Sequence, residues 1–125
     1  MPVIHIKEET TDPGWLNWVR WSERYGIEYR EQSTIPEFPR LSSGLGGAKA
    51  GLGMVLCGMV ESYASLVDGS LIMPFGKGSA TWSDFSYRLV SARGRVHSKM
   101  QNNFRSWIAA QAKTYRESVE NLLGQ

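Results

Sequence analysis

Two stretches of the chain hold residue types at spacings that could do chemistry. The first, Gly44-Leu45-Gly46-Gly47-Ala48-Lys49, has the glycine density of a phosphate-binding loop. It fails as one, because a P-loop needs glycine before its lysine and Ser or Thr after it, and both neighbours of Lys49 are alanine. A dinucleotide fingerprint fails as well, since no strand reads before it and the third glycine is misplaced. The second stretch, Pro74-Phe75-Gly76-Lys77-Gly78-Ser79, sets a lysine between two glycines. Backbone N–H groups and the ammonium can then approach an anion, with Ser79 and Thr81 as further donors. A flexible connector kept soluble by Lys77 fits the same residues.

Groups for catalysis or metal binding are sparse. His5 and His97 are the only histidines and Cys57 the only cysteine. A lone cysteine excludes an internal disulfide framework and a zinc site built on several thiolates. Pairing Cys57 with His97 would place a thiolate on a buried apolar helix, where it is disfavoured. The carboxylates Glu8, Glu9, Asp12, Glu23, Glu28, Glu31 and Glu37 crowd the N-terminal third without the spacing of a calcium loop. We therefore expect no catalytic residue, no cofactor and no metal site.

Charge distribution is the stronger signal. The whole chain of 125 residues carries a net charge of only +2. Residues 1–68 hold six basic and nine acidic side chains, residues 69–116 hold eight basic ones and the single acid Asp84, and the tail 117–125 adds Glu117 and Glu120. Those eight are Lys77, Arg88, Arg93, Arg95, Lys99, Arg105, Lys113 and Arg116. A soluble helix face normally mixes both signs, often as pairs four residues apart. Seven surplus cations in one block create a local field that the total conceals.

These residues need elements to position them. The apolar run 50–60 is too short for a membrane span of about 20 residues. With helical periodicity through Leu52, Val55, Leu56, Met59, Val60, Tyr63, Leu66 and Val67, it predicts a buried helix over 46–68, stopped by Asp68-Gly69. A hairpin turn at Asp68-Gly69 is the competing reading. Gly47, Gly51 and Gly58, in line with Val55 and Ser62, would give that helix a mostly small-residue stripe for close packing, in the fold or across a subunit interface. After the breaker Asp12-Pro13-Gly14, Trp15, Trp18 and Trp21 predict a helix over 14–25, ended by Gly26. Pro36 and Pro39 make 33–43 an ordered connection. Short strand candidates are 3–7, 27–30 and 71–75.

In the last third, Thr81 to Asp84 reads as a capping box opening one long helix to Leu122. Phe85, Leu89, Val96, Met100, Phe104, Trp107, Ile108, Tyr115 and Val119 would form its apolar face, with a kink at Gly94. On that continuous helix Arg88, Arg95, Lys99 and Lys113 fall within about 40° and line one edge for about 37 Å. Ser91, Asn102 and Ser106 share the edge. The chain is thus expected to be mainly α with a minor β component, one compact domain with a long C-terminal amphipathic helix. Within it lie an acidic Trp-rich region (1–45), a Gly-rich buried helix (46–68) and a basic loop and helix (69–125).

Cations interleaved with aromatics suit single-stranded nucleic acid, whose bases stack on aromatic faces while phosphates meet the positive groove. Trp82, at the helix entrance, and Tyr87, off the apolar stripe, are the expected stacking residues, beside Lys77, Ser79, Arg88, Arg93, Arg95, Lys99, Arg105 and Lys113. The expected function is a non-enzymatic nucleic-acid-binding protein favouring single-stranded DNA, such as a phage-type transcription or replication cofactor that also contacts a polymerase. The alternative is an assembly subunit or enzyme inhibitor acting through its tryptophans and glycines, with a homo-oligomer as one form. No apolar leader is present, which makes the cytoplasm the default location.

Overall fold

A computed structural model describes residues 2–7, 17–30, 36–83 and 86–124. The chain forms an α+β fold with a small sheet and a long C-terminal helix, and its contacts separate into two units, 1–79 and 80–125.

The first unit is built around β1 (Val3–Ile6), the central strand of a three-stranded sheet ordered β2-β1-β3. β2 (Glu37–Phe38) and β3 (Met54–Val55) both pair with it in parallel, His5 opposite Glu37 and Ile4 opposite Val55. Parallel neighbours cannot be joined by a tight turn. The helix α2 (Leu41–Lys49) makes the passage from β2 to β3 and packs on all three strands. Its glycines allow the close approach. A Cβ on Gly44 would run into the Ile6 side chain, and one on Gly47 would lie 2.8 Å from Phe38 Cζ and 3.5 Å from Ile4 Cδ1.

The tryptophan helix α1 (Trp18–Tyr25) starts at Asn17, whose side chain accepts from the Arg20 N–H, and ends at Gly26 as expected. Trp18 and Trp21 are buried. The Trp18 indole donates to the Ile4 carbonyl at 3.0 Å, while Trp21 meets Trp18 edge-on and packs against Tyr25 and Phe75. Trp18, Trp21 and Leu45 with the fully buried Ile4 are the core of the unit, and Phe75 covers Trp21 from an exposed position.

The expected helix over 46–68 does not form as one piece. α2 begins earlier and stops at Lys49, β3 intervenes, and a separate α3 (Met59–Val67) follows. Gly51 has φ +79°, a conformation that interrupts a right-handed helix and that glycine adopts without penalty. Gly53 then lies against the Pro2 carbonyl, 2.5 Å from where a Cβ would be. The apolar periodicity from Leu52 to Val67 spanned a strand and a separate helix, which leaves Leu52, Val60 and Val67 exposed. The stop at Asp68-Gly69 holds, and residues 64–67 are helix rather than hairpin strand. The strand candidate at 3–7 is β1, whereas 27–30 and 71–75 are not strands. The connection over 33–43 is cut short by β2 and by α2 starting at Leu41.

In the second unit the long helix begins at residue 99. Residues 86–98 contain neither helix nor strand, with a turn at 93–94 where Gly94 takes φ +77°. Ser98 then closes a full capping box: its hydroxyl accepts from the Gln101 N–H, and the Gln101 side chain accepts from the Ser98 N–H. α4 (Lys99–Leu123) follows for 25 residues. The box expected at Thr81 does not open the helix, and its partner Asp84, like Phe85, lies outside the described residues. The physical reason is local. Residues 86–98 collect Val, Ser and Gly, which are poor helix formers, whereas α4 is rich in Ala, Gln, Lys and Glu.

Candidate nucleic-acid interface

Lys77 and Ser79 form a single 3-10 turn in the first unit. The turn is tied down locally. Gly76 N–H donates to the Met73 carbonyl, and both the Ser79 N–H and its hydroxyl donate to the Gly76 carbonyl, the latter at 2.7 Å. Three donors expected to cradle an anion are thus already used. Lys77 itself stays exposed.

The remaining predicted binding residues belong to the second unit. Trp82 is 62% exposed and Tyr87 81%. Trp82 is not at a helix entrance, because the helix starts seventeen residues later. Arg88, Arg93 and Arg95 are exposed on the non-helical segment 86–98. Lys99, Arg105, Lys113 and Arg116 are exposed on α4, where 100° per residue places them within an arc of about 120°. Asn102 and Ser106 fall in the same arc, and so do Glu117 and Glu120, four residues after Lys113 and Arg116. The expected single edge through Arg88, Arg95, Lys99 and Lys113 therefore does not exist. Two different surfaces, a non-helical segment and a helix side, replace it.

None of the eight cations from Lys77 to Arg116 makes an ion pair among the described residues. The two ion pairs observed, Lys7–Glu37 at 2.9 Å and Arg30–Glu28 at 2.7 Å, both lie in the first unit. The other clustered carboxylates Glu8, Glu9, Asp12 and Glu31 fall outside the described residues. An open groove of about 570 Å³ runs beside α1, lined by Val19, Ser22, Glu23, Gly26, Ile27, Glu28 and Tyr29.

On α4, Met100, Phe104 and Trp107 were expected to face the core. They are instead 81%, 50% and 56% exposed, on the side of the helix away from the cations. The sequence signal for this was the Ser98–Gln101 box after Gly94. Starting the helix there removes Leu89 and Val96 from the supposed apolar face, and both are exposed.

The glycine stripe is also revised. Gly47 packs on Phe38 inside the unit, Gly51 has open space around it, and Gly58 caps α3 beside the Glu61 side chain. They share no helical face. Trp18 and Trp21 are core residues and present no docking surface, while Trp15 falls outside the described residues. Cys57 sits exposed in the loop before α3 rather than on a buried helix. Burial of its sulfur raises the thiol pKa, and the Glu61 charge adds to this, against a lowering by the Ser62 hydrogen bond. Among the described residues no group of His, Cys, Asp or Glu is placed to hold a metal ion, and no helix is long and apolar enough to cross a membrane. The chain matches no family model, no curated protein and no solved structure.

Proposed function

We propose that the chain is a non-enzymatic nucleic-acid-binding protein that prefers single strands, DNA foremost, and acts as a transcription or replication cofactor. The observation that carries this reading is the set of exposed cations without carboxylate partners. A block of eight cations with the single acid Asp84 among them raises the local concentration of a polyanion. The contact surface is the segment 86–98 with its three arginines, flanked by Trp82 and Tyr87. An unpaired base stacked on Tyr87 would keep its phosphate within reach of Arg88, and each such stack is worth about 1–3 kcal/mol. Phe104 and Trp107 are excluded from this role. They face away from the α4 cations across a helix about 10 Å wide, too far for one nucleotide to use both.

The reading is tested with Arg88→Ala, Arg93→Ala and Arg95→Ala combined. The slope of log affinity against log salt should fall by about 2, at about 0.7 per lost phosphate contact. Thermal stability should change little, since all three side chains are exposed. An unchanged slope contradicts the assignment. A second reading, an interaction protein without nucleic acid, is favoured by one observation: the exposed row Met100, Phe104 and Trp107. It predicts no oligonucleotide binding even at about 50 mM salt.

A further inference from the structure

The backbone of residues 88–97 is held only lightly. Outside the turn at 93–94, none of its N–H or carbonyl groups takes part in a backbone hydrogen bond among the described residues. Burial does not hold it either, since Val90 is 84% exposed and Val96 97%. Arg88, Arg93 and Arg95 fall in this stretch, exposed and with no carboxylate paired to them among the described residues. Leu89, Gly94 and Val96 follow them, and no proline occurs after Pro74. Basic residues of the first unit stand differently. Arg20, Arg24 and Lys49 lie within helices, and Lys77 lies in a 3-10 turn. The Lys7 N–H donates to the Phe38 carbonyl, the Arg40 carbonyl accepts from Gly44, and Glu28 holds the Arg30 guanidinium.

We infer that residues 88–96 are a processing site for an arginine-specific serine endopeptidase, of the kind whose specificity pocket ends in an aspartate. Such an enzyme takes its substrate as an extended strand, so the chain must release several residues from its own hydrogen bonds. A helix or sheet releases them only by opening locally, at a cost in free energy. Here a single turn is all that must open. Cleavage is favoured where backbone is exposed and unbonded, and residues 88–97 meet both conditions. Water supplies the reaction. The C–N bond after the arginine breaks, its carbonyl carbon gains the hydroxyl, and the new amino terminus takes the proton. A cut between Arg93 and Gly94 leaves three of the eight cations on the fragment carrying the first unit and five on the fragment carrying α4. The inference does not depend on nucleic-acid binding.

The test is limited digestion of the full chain with trypsin, without nucleic acid, the fragments being assigned by mass. The first cuts should fall after Arg88, Arg93 or Arg95, about 100-fold faster than any cut inside the first unit, where opening is required. Arg88→Gln, Arg93→Gln and Arg95→Gln combined should abolish those cuts with unchanged circular dichroism. Chymotrypsin reads the same backbone without using the arginines. It should cut after Tyr87 or Leu89 well before the buried Trp18 or Trp21. First tryptic cuts after Arg30, after Lys77 or within α4, a triple variant cut as fast as the wild type, or early chymotryptic cuts at Trp18 or Trp21 would each overturn the inference.

Discussion

The two units use similar residue types to opposite ends. In the first, the aromatics Trp18 and Trp21 are buried against each other, glycines 44 and 47 bring a helix onto a sheet, and basic side chains such as Lys7 and Arg30 pair with carboxylates. In the second, Trp82, Tyr87, Phe104 and Trp107 are exposed, and no cation has a carboxylate partner among the described residues. Apolar surface left in water lacks the burial that stabilises a fold. The contrast teaches where each part gets its order: the first unit from its own core, the second from a capped helix that is exposed along its N-terminal half and buries Val119 near its C-terminal end.

That contrast can be broken at points of decreasing effect. Trp18→Ala should cost about 3–5 kcal/mol, the range for deleting a large buried aromatic. It also removes the donor to the Ile4 carbonyl, and urea unfolding measures the loss. Should the variant unfold near the wild-type midpoint, the aromatic core is not what holds the first unit. Gly47→Leu should cost about 1–3 kcal/mol through overpacking against Phe38, read in the same experiment. A neutral result would show that α2 does not approach the sheet so closely.

For the second unit, Ser98→Ala should destabilise α4 by about 1 kcal/mol by removing its cap, seen as lost helicity on warming. Thr81→Ala should leave helicity unchanged, and a matching loss there would restore the longer helix. The smallest effect concerns Asp68. Hydrogen bonds from Ser70, through its side chain and its backbone N–H, hold this exposed carboxyl below its ordinary pKa. A carboxylate with a lowered folded pKa stabilises the fold above its unfolded pKa, and that contribution disappears as pH falls through the lowered value. The small stability difference between wild type and Asp68→Asn at pH 7 should therefore vanish in strong acid.

What was legible in the sequence follows local, residue-level rules. The strand at 3–7, the tryptophan helix with its Gly26 end, the stop at Asp68-Gly69 and the helical C-terminus all rest on turn or propensity signals within a few residues. What misled was periodicity read across glycines. Leu52 to Val67 keeps a helical period, and so does Leu89 to Val119. Yet the first crosses Gly53 and the second crosses Gly94, both with positive φ. Strands β2 and β3, two residues each, carry no period at all. They exist because β1 offers hydrogen bonds on both edges. The cation block was visible from composition, but its division between a segment and a helix depended on where α4 starts.

The central claim is that residues 86–116 present cations to a polyanion. Fluorescence anisotropy of a labelled single-stranded oligonucleotide, titrated with the full chain from about 50 to 300 mM salt, tests it most directly. Affinity should fall linearly on logarithmic axes, with a slope of several times 0.7, and duplex of equal length should bind more weakly. No binding at the lowest salt, or an affinity indifferent to salt, would contradict it.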